Sequence, residues 1–143
     1  MASTFGAQRP SPSAVPNPQP MKLINVAAAV EIAAGLIFMI SPSLVARLVL
    51  NAELSAAGEA VGRVGGFGLL GLGLACWLGS AAIGAKSAAT RGLLAYNVLA
   101  AIFFTYLGIQ GTLVGMLLWP AAALHAILAV LLGRVFILDL RAG

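Results

Sequence analysis

The chain has 143 residues, of which 61% are hydrophobic and 8% charged. Water-soluble domains carry about 25% charged residues, so a soluble fold of this composition would expose apolar surface throughout, and the sequence points to lipid instead. The net charge of +4 comes from scattered cations rather than a basic patch, which argues against a nucleic-acid-binding surface.

The first 21 residues are polar and proline-rich. MASTFGAQRPSPSAVPNPQP places five prolines between Pro10 and Pro20, and such a stretch cannot pack a core. It reads as a disordered or polyproline-like cytoplasmic tail. It is a poor secretory leader, because a leader opens with a short basic segment and has a shorter apolar run. Residues 22–143 form the membrane domain.

A membrane-crossing helix needs about 20 mostly apolar residues. KLINVAAAVEIAAGLIFMI supplies the first span at 22–40, with Glu31 as its one ionisable group after Lys22. The next stretch, SPSLVARLVLNAELSAAGEA, is only partly apolar. Leu44, Val45 and Leu48 share one helical face with Arg47 and Asn51 off it, which predicts a short amphipathic helix at the outer interface. Further spans are expected at 59–82, 91–110 and 115–138. The last has an alternative start near Trp119-Pro120, since proline suits a helix's first turn. The fold class expected is therefore all-α: an integral membrane four-helix bundle.

Arg9, Lys22, Lys86, Arg91, Arg134 and Arg141 fall on one side of this topology and Arg47 and Arg63 on the other. The positive-inside rule then predicts both termini in the cytoplasm, with a bacterial inner membrane as the location. Trp77 and Trp119 suit the two interfacial belts, and Arg134 suits snorkelling to the cytoplasmic surface. Cys76, the one cysteine, excludes an intrachain disulfide and reads as a small buried hydrophobe.

Gly66, Gly68 and Gly71 spell G-x-G-x-x-G, the glycine pattern of dinucleotide-binding turns. That motif needs a preceding strand, a helix opening at the glycines and an acidic residue about 20 positions on. None is present: after Arg63 the next acidic residue is Asp139. Helical periodicity gives another account. Gly58, Gly62, Gly65, Gly66 and Gly73 fall within an arc of roughly 100°, and glycines let helix backbones approach closely in lipid, where no hydrophobic effect drives helices together. The stretch is expected to be a packing face.

Ionisable residues at membrane depth are costly and often functional. The candidates for an intramembrane polar pocket are Glu31, Glu59, Arg63, Asn97 and His125, with Glu59 and Arg63 spaced to pair at i, i+4. Glu31, Asn97 and His125 each share a face with small residues and so should point at neighbouring helices. On this topology Glu31, Arg63 and His125 are expected to reach one outer-half cavity. Two readings stand: a pocket for a small amphipathic ligand such as a quinone head group, a lipid or a proton, or an interhelical network that holds the bundle together. Conventional catalysis has little to work with. One histidine, one cysteine and a terminal aspartate make no zinc site within a chain, and no serine triad is suggested.

Glu31 with Gly35, Ser41-Pro42, GRVGGFGLLGLGLACWL (62–78), RGLL (91–94) and WPAAALHAILA (119–129) together resemble the small DoxX-like four-helix membrane proteins, over roughly residues 25–135. That family takes its name from a subunit of a thiosulfate:quinone oxidoreductase. The resemblance implies Glu31, Arg63 and His125 as pocket positions, while this chain lacks paired cysteines for thiol redox chemistry. The expected function is a non-catalytic accessory or assembly subunit of a larger membrane complex. The alternatives are a quinone-linked redox or ligand-binding protein and a transporter-like homo-oligomer.

Overall fold

The computed structural model describes residues 18–79 and 88–141, and among them all regular structure is helical. The helices are α1 (Pro18–Ile40), α2 (Pro42–Leu50), α3 (Ala56–Gly79), α4 (Ala88–Gln110) and α5 (Leu118–Arg141). Four of them, all but α2, are long and apolar enough to cross a bilayer. At about 1.5 Å rise per residue a 23-residue helix is about 35 Å long, enough for the hydrocarbon core.

The helix ends differ from the expected spans by about a turn at most. α1 starts at Pro18 rather than residue 22. Pro18 and Pro20 fall in its first turn, where a helix does not use the N–H that proline lacks. α4 starts at Ala88 rather than 91. α5 runs from Leu118 to Arg141, so Pro120 lies in its first turn, close to the alternative start at Trp119-Pro120. Residues 1–17 of the expected tail and 80–82 of the expected second span lie outside the described residues.

α1 and α3 pack antiparallel along their length, as do α4 and α5, and the two pairs meet along a looser seam. Glycines set the closeness of the first pair. A Cβ at Gly35 would stand 2.6 Å from the Leu70 backbone nitrogen, and one at Gly66 would stand 2.8 Å from the Gly35 carbonyl oxygen. A Cβ at Gly73 would meet Ile32 Cγ1 at 2.7 Å and the Ala28 oxygen at 2.8 Å. Gly62 makes room for the Pro42 ring, 2.7 Å from where its Cβ would be, so it seats α2 on α3.

The expected packing face is narrower than the glycine arc. Gly65 has nothing within 4 Å of where its Cβ would be, and Gly58 approaches only Leu54 and Ser55 just before its own helix. The arc overstates the face because a second helix touches only the few positions nearest the line of contact.

α2 is held at one end of the bundle. Asn51, at φ 52°, turns the chain out of the helix, and its N–H bonds the Arg47 carbonyl at 3.0 Å; asparagine is among the few residues that visit this region readily. The Leu48 and Val49 carbonyls, left free at the helix end, accept from Leu117 N at 2.8 Å and Gly115 N at 2.9 Å. The α4–α5 loop is thereby fastened to α2. Pro42 and Ala46 are buried against the bundle while Leu44 faces outward.

Candidate polar site in the hairpin seam

Glu31 on α1, Asn97 on α4 and His125 on α5 converge in the seam. Their exposures are 0%, 0% and 8%. Two of them sit beside small residues: Ala27 and Ala28 precede Glu31 by one turn, and Ala122 precedes His125. Those small side chains allow three helices to come close enough for direct contact. Asn97 Nδ2 donates to Glu31 Oε1 at 3.1 Å and to the Leu93 carbonyl at 2.9 Å. Asn97 Oδ1 lies 2.9 Å from His125 Nδ1.

The rest of the site is aromatic and apolar. The His125 ring has Tyr96 edge-on at a centroid distance of 5.6 Å and Phe104 tilted at 5.6 Å. Cys76 packs in the core cluster with Ala27, Ala28 and Leu93. Glu31 Oε2 is buried and has no hydrogen-bond partner. A buried polar atom without a partner is uncommon and calls for an explanation.

Glu59 and Arg63 do not join this cluster. Arg63 Nη2 lies 3.2 Å from Glu59 Oε2, with the two side chains 45% and 35% exposed. The other Glu59 carboxylate oxygen accepts from the Ser43 hydroxyl at 2.5 Å, tying α2 to the start of α3. Gly73 lies between Ala28 and Ile32 and Gly66 between Gly35 and Met39, so Glu31 is level with about residue 72 of α3. Arg63 is about nine residues away along that helix, or about 13 Å. The expected common cavity of Glu31, Arg63 and His125 is therefore corrected. The cluster is Glu31, Asn97 and His125, and Arg63 belongs to an outer pair with Glu59.

The G-x-G-x-x-G glycines lie in the middle of α3, a continuous helix. Their N–H groups serve the helix and cannot cradle a phosphate. Among the described residues no group of three or more His, Cys, Asp or Glu stands together to hold a metal ion. Two shallow apolar grooves, one on α4 at Ala101, Ile102, Thr105, Tyr106 and Ile109 and one on α5 at Ala126, Ile127, Val130 and Leu131, involve none of the three clustered residues. The exposed Thr105 hydroxyl bonds the Ala101 carbonyl of its own helix at 2.7 Å, which satisfies it without water.

Sequence reading did not identify Tyr96, Phe104 or Ser43. An aromatic residue next to Asn97 looks like ordinary span composition, and a serine in the first turn of α2 looks like a residue that merely opens the helix. Only the crossing of α4 over α5 and of α2 over α3 gives them partners.

Four apolar helices, large hydrophobic side chains exposed on their outer faces, such as Val61, Leu99, Ile109 and Val130, and a polar cluster hidden between them define the class: a multi-pass helical membrane protein whose outer surface contacts lipid. Compared with protein-family models, curated proteins and solved structures, the chain matches none of them.

Proposed function

We propose that the protein is a non-catalytic subunit of a larger membrane assembly, docking through the outward face of α3. The observation that carries this reading is the division of the α3 glycines. Gly66 and Gly73 are used against α1, whereas Gly65, Gly68 and Gly71 have nothing within 4 Å. Glycine gives lipid chains little to pack against, but it lets another helix backbone come near. The resemblance to DoxX-like proteins supports the same reading, since that family is named for a subunit of an oxidoreductase. In this proposal the protein sits in a bacterial inner membrane with both termini in the cytoplasm, as the cation distribution argues.

The ligand-pocket alternative, with a quinone or lipid held by Glu31, Arg63 and His125, has less support because Arg63 is paired with Glu59 at the surface. The deciding experiment is gentle detergent extraction from the native membrane, followed by particle mass and subunit composition. The expected result is a stoichiometric assembly with other membrane proteins. Gly68→Leu should release from it a chain that keeps its helical content. A lone four-helix particle carrying a quinone or lipid would overturn the assembly reading, and a particle made only of this chain would replace it with a homo-oligomer.

A further inference from the structure

The hydrogen-bond order in the seam can be read from one fixed point. The Leu93 carbonyl can only accept, so the Asn97 side-chain atom facing it is the amide NH₂. Its second hydrogen goes to Glu31 Oε1. Asn97 must then present its oxygen to His125, so Nδ1 carries a hydrogen. Turning the amide over would face its oxygen toward two acceptors at once.

No lysine or arginine stands among the described groups around Glu31. α3 contributes Cys76, α4 contributes Tyr96 and Asn97, and α5 contributes His125. On its own helix the nearest charged residue is Lys22, about 13 Å away along the axis. On α3 it is Arg63, about as far and already paired. Asn97 stands between Glu31 and His125, so the imidazole makes no direct ion pair with the carboxylate. An ionised Glu31 would leave Oε2 as a bare buried charge with no donor, and a group so placed takes up a proton instead.

We propose that Glu31 is an intramembrane proton-binding site: an uncharged carboxylic acid with an exchangeable proton on Oε2, whose occupancy keeps the two helix pairs closed around it. Releasing the proton leaves a carboxylate that must be hydrated, and water reaches it only if the seam opens. The seam is where this happens because α1–α3 is locked by backbone contact at Gly35 and Gly66, while the pairs meet one another through side chains. Asn97 keeps the same hydrogen-bond order in both states. The inference is independent of the assembly reading, since it concerns the inner face of the bundle and not α3's outer one.

The experiment uses the full chain reconstituted in lipid and read by infrared spectroscopy across a pH series. Among the three glutamates, Glu53 and Glu59 are ion-paired with Arg47 and Arg63 outside the core. A protonated-acid C=O band at neutral pH that shifts on ¹³C-glutamate labelling therefore reports Glu31 without any variant. The expected result is such a band at neutral pH, absent in Glu31→Gln and bleaching as the medium is made alkaline. In parallel, Cys76 is alkylated with a membrane-permeant maleimide. Wild type and Glu31→Gln, which mimics the protonated state, should label equally slowly at neutral pH. At alkaline pH wild type should label at least about tenfold faster than the variant, as local opening requires. A neutral-pH spectrum without the acid band overturns the proton site. Equal labelling at every pH, with the band present, overturns the coupling to the seam.

Discussion

Asn97 and Glu31 stand on different helix pairs, and the 3.1 Å bond from Asn97 Nδ2 to Glu31 Oε1 joins those pairs at a depth where neither residue touches solvent or lipid. A polar side chain here can be satisfied only by its neighbours, so each member of the cluster depends on the others.

Replacing Asn97 with leucine keeps the branching of the side chain and removes its bonds to Glu31, His125 and the Leu93 carbonyl. Glu31 Oε1 and His125 Nδ1 are then left unpaired in an apolar core, each costing about 1–3 kcal/mol. Equilibrium unfolding in mixed micelles should show a loss of that size. A variant as stable as wild type would mean that the cluster does not hold the seam.

The two kinds of α3 glycine should respond oppositely to the same change. Gly66→Ala drives a Cβ to within 2.8 Å of the Gly35 carbonyl and 2.9 Å of the Met39 nitrogen. It should destabilise the chain by about 1–3 kcal/mol, as overpacking does. Gly68→Ala enters open space and should leave thermal stability within about 0.5 kcal/mol or raise it slightly, alanine being the better helix former. Equal effects at both sites would contradict the described α1–α3 contact.

Gly115 lies against the end of α2, where an added Cβ would approach the Val49 carbonyl carbon to 2.7 Å. Gly115→Ala should part the α4–α5 loop from α2 and break the Gly115–Val49 and Leu117–Leu48 bonds. Amide hydrogen exchange in 111–117 is the readout. Faster exchange confined to the loop and α2 is expected, with protection in α4 and α5 unchanged.

Glu59→Gln weakens the pairing with Arg63 but can still accept from Ser43. Because the ion pair is partly exposed, solvent screens it and the loss of stability should lie near the limit of detection. A larger loss would show that the outer pair contributes to the core.

On the proposed orientation, which places six of the eight cations on the cytoplasmic side, a reporter fused after Gly143 should give a cytoplasmic signal. An activity on the opposite side would reverse the proposed orientation.

Several features were readable in the sequence because they follow from composition and spacing. Runs such as 22–40 admit helix and little else in lipid, and Glu31, Asn97 and His125 stand out as polar residues within apolar runs. Gly66 and Gly73 were visible as small positions on one helical face. Misplacing Arg63 has an equally clear cause: helical spacing gives a residue's angle around its own axis and a coarse depth, but not the vertical offset between two helices. That offset is set by the Gly35–Gly66 and Ile32–Gly73 contacts, which raise Arg63 above the level of Glu31.

An all-helical chain with four candidate spans follows from composition alone, because hydropathy and length are local properties and a backbone in lipid must satisfy its own hydrogen bonds. Which polar residues meet is a matter of packing between helices. Whether Glu31 faces Asn97, Arg63 or lipid depends on how helices far apart in sequence pair and in what register, and that is fixed by close backbone contacts between them rather than by any one segment.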